Sequence, residues 1–160
     1  MATKKKTAAP SAGVTLAKGK IGFTVETTMR APLKKVWEAA TQAKHLEKFF
    51  VHKVKGDFNK NFEPVFWTWP SHGTFPIYPV GYAEGKFLEF HWPLHGKRTQ
   101  LSFVRFEFSE KKGVVTLKIS ESGWSQTGLP YAFENCQGWT EFGNYLQAYV
   151  MWKKDMRTKK

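Results

Sequence analysis

The chemistry open to this chain rests on few side chains. Glu121 is the most pointed of them. It shares the parity of Val115, Leu117 and Ile119, so its carboxyl either turns inward near a strand end or stands in water at the strand mouth. A buried carboxylate needs a partner, and an inward Glu121 would meet Arg105, a tyrosine such as Tyr82, or the polar end of a ligand. Arg105 has the parity of Leu101 and Phe103, while Glu89 and His91 oppose the Trp92 face. His91 and His95 have a spacing that binds metal on a helix, but Pro93 between them denies them one. His45, His52 and His72 stand alone, and Cys136 has no base beside it, which makes it a packed thiol. Neither a glycine-rich phosphate loop nor a nucleophile elbow occurs. No catalytic residue, metal or cofactor is expected from these residues.

The elements that must hold these groups are read from periodicity. Ile21, Phe23, Val25 and Met29 alternate with Gly22, Thr24, Glu26 and Thr28, which predicts a half-buried strand. Ala31-Pro32 ends it and opens a helix to about Ala40, with Leu33, Val36, Trp37 and Ala40 on one face. Thr41 is placed to cap a second short helix running to about Phe50. Strands are expected over 51–55, 63–69, 77–83 and 87–92, the last two forming a hairpin over Glu84-Gly85-Lys86. The run 99–109 carries two parities, Leu101 and Phe103 against Val104, Phe106 and Phe108. Either a bulge shifts its register near Phe103 or one end is covered on both faces. Lys111-Lys112-Gly113 then turns the chain into a last strand that ends at Gly123-Trp124.

The longest helical signal spans 130–156, with Phe133, Trp139, Phe142, Leu146, Tyr149 and Val150 on one face. Pro130 suits the first helical position, and Lys153, Lys154 and Arg157 suit the far end of the helix dipole. Gly138 and Gly143 either let this helix sit close to a sheet or leave space for a guest. The order predicts an α+β fold, a curved antiparallel sheet of six to seven strands wrapped around the long C-terminal helix.

Composition bounds the function. The chain holds 14 Phe, 7 Trp and 5 Tyr against 9 Leu and 3 Ile, so rings either fill the interior or line a hole in it. Of the net charge of +12, +5 lies before residue 21 and +4 after residue 152, which leaves +3 for the 132 residues between. Basicity confined to the ends reads as solvated tails, so no specific nucleic acid is expected. Residues 1–20 are expected to be a disordered basic tail, 21–155 the domain, and 156–160 a basic C-terminal tail. No run reaches the roughly 18 apolar residues of a transmembrane segment. One cysteine excludes an intramolecular disulfide and, with no secretory signal, points to the cytoplasm.

Three passages carry a family resemblance: VETTMRAPLKKVWEAATQAKHLEKFF over 25–50, GVVTLKISESGW over 113–124, and GWTEFGNYL over 138–146. Together they resemble the START-like helix-grip superfamily, also called SRPBCC or birch-pollen-allergen-like. Within it they are similar to the branch of the C-terminal domain of the activator of the heat-shock-chaperone ATPase. The stretch 59–79 follows the pattern only loosely.

What the resemblance implies is a cavity between sheet and helix, which members commonly use for small hydrophobic molecules. The candidate ligand-binding walls are then Trp67, Trp69, Tyr82, Phe90, Trp92, Phe106, Glu121, Trp139, Phe142 and Leu146, unless the rings simply fill the core. The resemblance also admits a module that acts on a heat-shock chaperone, although the full activator has a further N-terminal domain for which this chain leaves no room. A third expectation is a polyketide-cyclase-like enzyme, which would need Glu121 to converge with Arg105 or His91.

Overall fold

The computed structural model describes residues 3–4, 13–95 and 97–157. Its elements run β1 (Thr3–Lys4), β2 (Thr15–Leu16), β3 (Ile21–Arg30), α1 (Leu33–Thr41), α2 (Ala43–Phe49), β4 (Lys53–Lys55) and β5 (Val65–Trp69). There follow β6 (Gly73–Ala83), β7 (Phe87–Leu94), β8 (Lys97–Lys111), β9 (Val114–Trp124), one 3₁₀ turn and α3 (Leu129–Trp152). The sheet runs in the order β3-β9-β8-β7-β6-β5-β4, and each neighbour is antiparallel. This is the expected α+β helix-grip. From β4 to β9 consecutive strands are neighbours, whereas β3 lies at the opposite edge from β4 and pairs with β9, because α1 and α2 carry the chain across.

Part of the stretch expected to be a tail is built into the sheet. Thr15–Leu16 pairs in parallel with Gln100–Leu101 of β8, and Thr3–Lys4 pairs with Gly81 and Tyr82 of β6. Residues 1–2, 5–12 and 158–160 lie outside the described residues.

The two parities in β8 have a simple cause. Its pairing with β9 keeps one register throughout, and Leu101 and Ser102 are both buried, so that end is covered on both faces. Lys112 and Gly113 both have positive φ, as a two-residue hairpin turn requires.

Three local expectations need correction. Thr41 does not cap α2; its Oγ1 donates to the Trp37 carbonyl at 2.7 Å and closes α1, and Gln42 takes the cap position. The long helix stops at Trp152, because Lys153 adopts a left-handed conformation. Lys154 and Arg157 therefore lie past its last turn, and Arg157 donates back to the Val51 carbonyl at 2.9 Å. Phe133, placed on the buried face by spacing, is 69% exposed.

The main hydrophobic core lies between the sheet and α1, α2 and α3, and a smaller cluster gathers Leu94, Trp124 and Ala132. Phe49, Phe90, Phe106, Phe142 and Leu146 are fully buried in the main core. Lys35 Nζ donates to the Val150 carbonyl at 2.9 Å, and Gln147 Nε2 to that of Thr28 at 2.6 Å, which ties α3 to α1 and β3. Among the described residues, no helix is long and apolar enough to cross a membrane.

Candidate functional site: an aromatic groove beside the long helix

Alternation in β5 and β7 turns Trp67 and Trp92 toward α3, and helical period brings Trp139 to meet them. These three rings and Trp69 meet edge to face with centroids about 6 Å apart, a geometry that aromatic quadrupoles favour. Packing is complete on one side of this cluster. On the other it opens into a groove of about 1080 Å³ between α3 and the ends of β5, β6 and β7. Phe50 and Phe75 complete its apolar wall, and Phe75 stacks on Trp92 with centroids 5.3 Å apart.

The helix side of the groove is contributed by Glu134, Asn135, Gly138, Trp139, Glu141 and Tyr145. Gly138 sits in the middle of this face. A Cβ added there would meet no atom within 4 Å. A Cβ on Gly143 would lie 2.1 Å from Thr27 Oγ1 of β3. The two helical glycines thus serve the two different ends that their sequence left open: Gly143 permits close packing, and Gly138 leaves space.

Glu121 lies one layer behind the groove, with only 1% of its surface exposed. Ser102 Oγ donates to its Oε1 at 2.6 Å, and Trp139 Nε1 donates to its Oε2 at 2.6 Å. Asn135 Nδ2 lies 3.2 and 3.3 Å from the two oxygens. Burial pushes the Glu121 carboxyl above its ordinary range, and the three donors pull the other way. Ser102 Oγ also lies 3.2 Å from the Trp92 carbonyl. A protonated Oε1 can therefore donate a hydrogen bond to Ser102 Oγ while the Ser102 hydroxyl donates to the Trp92 carbonyl, so the cluster accommodates either state of Glu121. Trp67 Nε1, buried in the groove floor, finds no acceptor among the described residues.

The expected walls divide. Trp67, Trp69, Trp92 and Trp139 line the groove. Phe90, Phe106, Phe142 and Leu146 are core residues without access to it. Tyr82 packs edge-on against Trp37 with centroids 5.4 Å apart, away from the groove lining. Glu121 is inward, but its partners are Ser102, Asn135 and Trp139, and neither Arg105 nor Tyr82. Arg105 pairs with Glu89 and Glu107, and its guanidinium covers the Phe87 ring. His91 Nδ1 sits 3.1 Å from the Ser102 carbonyl, and burial lowers its pKa. Glu121, Arg105 and His91 thus form no converging set.

Sequence reading missed Asn135, Glu141 and Phe75 as lining residues. The first two were within reach, since steps of three and four residues link Asn135 to Gly138 and Trp139, Gly138 to Glu141, and Glu141 to Tyr145 along the groove face of α3. Phe75 was hidden because the strand was expected only from Ile77, after Pro76, whereas β6 begins at Gly73. Pro76 faces only β5 in the pairing, and the register shifts beside Pro79, so neither ring interrupts the sheet.

This architecture recurs in solved structures. DynU16, a protein of the dynemicin biosynthetic locus, superposes with a TM-score of 0.73 at 20% identity; the match covers 86% of this chain and 49% of that one, so this chain spans about half its length. MLL2253 from Mesorhizobium loti matches with a TM-score of 0.73 at 19% identity, over 85% of this chain and 100% of the other. The Aha1 dimer from Colwellia psychrerythraea matches at 0.69 and 13% identity, over 84% and 98%. At such identities the likeness concerns the fold alone. Curated proteins yield no match. The sequence pattern of one family, however, runs through residues 30–151, from the end of β3 to the last turn of α3. On that match, within the START-like helix-grip superfamily, the chain belongs to the family described as Activator of Hsp90 ATPase homolog 1-like protein.

Proposed function

We propose that the groove binds a small apolar or aromatic molecule, in a chain that works in the cytoplasm. Gly138 is the observation that carries this reading. A glycine in mid-helix lowers helix stability by about 1 kcal/mol relative to alanine, and this one has open space in front of it at the centre of a tryptophan-lined groove. The partly exposed faces of Trp69 and Trp92 supply a wall suited to a flat guest. No covalent chemistry is part of this reading. Native mass spectrometry of the expressed chain tests it, together with thermal melts in 2-naphthalenemethanol. A bound small molecule and a raised melting temperature are expected, and Gly138→Leu should abolish both while staying folded. Absence of both effects in the parent chain overturns the reading.

A second reading is a protein-interaction module that acts on a heat-shock chaperone. The family description favours it, as does Phe133, exposed two residues from the exposed Tyr131 at the start of α3. Its test is the ATPase rate of purified Hsp90 with and without the chain, with Phe133→Ala as the comparison. An unchanged rate removes it. The third expectation, a cyclase-like enzyme, gains no support from the dispersed Glu121, Arg105 and His91.

A further inference from the structure

The polar groups around Gly138 are mostly acceptors, and this says what the guest carries. Asn135 offers the clearest case. Trp139 Nε1 can only donate, so Glu121 Oε2 is an acceptor whether or not the carboxyl is protonated. The proton, when present, belongs on Oε1 toward Ser102. In both states the Asn135 amide therefore turns its Nδ2 inward to Glu121. Its Oδ1, which accepts no hydrogen bond among the described residues, is left as the free end of a half-buried side chain that lines the groove.

Carboxylates predominate in the charge around the same spot, Glu47, Glu134, Glu141 and Asp155 against Arg98 and Arg157. Glu134 and Glu141 stand four residues before and three residues after Gly138, so both flank the open space on the helix face; Glu134 Oε2 also meets His95 Nδ1 at 3.0 Å, which leaves its Oε1 and the Glu141 carboxylate toward the groove. The two guanidiniums of the lining already have partners in the groove wall or at its rim. Arg157 is held by Asp155 and the Val51 carbonyl. Arg98 lies over the Phe75 ring at 4.3 Å and donates to the His72 carbonyl. Burial first, and then the nearby charges of Glu141 and Asp155, raise the pKa of the Tyr145 hydroxyl in the same lining. A chain of net charge +12 thus presents a locally acidic, aromatic groove.

We propose that the groove's ligand carries a protonated amine on its apolar or aromatic body. The ammonium sits over Gly138, donates to Asn135 Oδ1, and has Glu134 and Glu141 as counter-charges. The tryptophan faces add to its attraction, because an aromatic quadrupole favours a cation. This rests on the binding reading above and narrows it to a ligand class.

The test is isothermal titration of the full chain at pH 7 with three probes that share one ring body: 2-naphthylmethylamine, 2-naphthalenemethanol and 2-naphthoic acid. The amine should bind at least about tenfold tighter than the acid, with the alcohol between, as expected for a charge-assisted hydrogen bond. In Glu141→Gln, an exposed position, the amine should weaken about two- to fivefold while the alcohol is unchanged. Asn135→Leu should remove most of the amine's advantage, with a thermal melt to verify folding. If the acid binds as tightly as the amine and Gly138→Leu blocks both, the groove reading stands and the amine proposal falls. If none of the three binds, both fall.

Discussion

One side of the ring cluster and the other share a composition and differ in outcome. Toward the middle of the sheet, Phe90, Phe106, Phe142 and Leu146 interlock and exclude solvent. Toward the ends of β5 to β7, Trp69, Trp92 and Phe75 stand as a wall of the groove, and on the helix side Gly138 leaves open space. The contrast shows that ring content alone does not decide between core and pocket. Backbone separation decides it: Gly143 brings α3 against β3, while five residues earlier the same helix has no strand close enough to fill the gap.

Substitutions on the two sides should therefore behave differently. Phe106→Ala should lower unfolding free energy by about 3–5 kcal/mol, since a cavity opens in a filled core. Trp69→Ala, on the open wall, should cost clearly less in the same urea titration; equal losses would mean that the groove wall is as closely packed as the core. Next in size is Gly143→Ala. Its methyl group would press on Thr27, a stiff β-branched neighbour, at an overpacking cost of about 1–3 kcal/mol that exceeds the helix-propensity gain. Gly138→Ala should have the opposite sign, stabilising the chain by up to about 1 kcal/mol. If both glycine variants shift stability in one direction, the division of roles between them is wrong.

The smallest expected effect is the pH response of Glu121. Its folded pKa is raised above the unfolded one, so the folded chain holds its proton more tightly. That contribution is fully present below the ordinary carboxylate pKa and is lost as pH rises through the folded value. Relative to Glu121→Gln, which cannot titrate, the parent chain should lose stability as pH rises above the ordinary carboxylate range. A difference that is flat, or that grows with pH, would contradict the burial of Glu121 without a cation.

Much of the fold was legible beforehand. Alternation in Ile21–Met29 and Val115–Glu121 gave inward faces that the register of β3 on β9 reproduces, and the three-to-four-residue spacing of Trp139, Phe142 and Leu146 gave the buried stripe of α3. These signals are local, since period 2 or 3.6 states which side of an element is apolar. The site was legible in part. Four of the tryptophans expected as walls line the groove because they share those faces, while for Gly138 the sequence left close packing and open space as alternatives. Tyr82 was misplaced because strand parity says nothing about which end of the sheet a residue occupies, and there α1 brings Trp37 over it.

By itself, the sequence determined the order of strands and helices, the apolar face of each, and the stock of rings available to the interior. Tertiary structure alone decided that Glu121 meets Ser102, Asn135 and Trp139, that Arg105 turns to Glu89, and that Gly143 closes a gap while Gly138 opens one. The reason is physical. Periodicity fixes how a side chain projects from its own element, whereas its partners depend on strand register and on where a helix crosses the sheet. Both are set by packing between segments far apart in the chain.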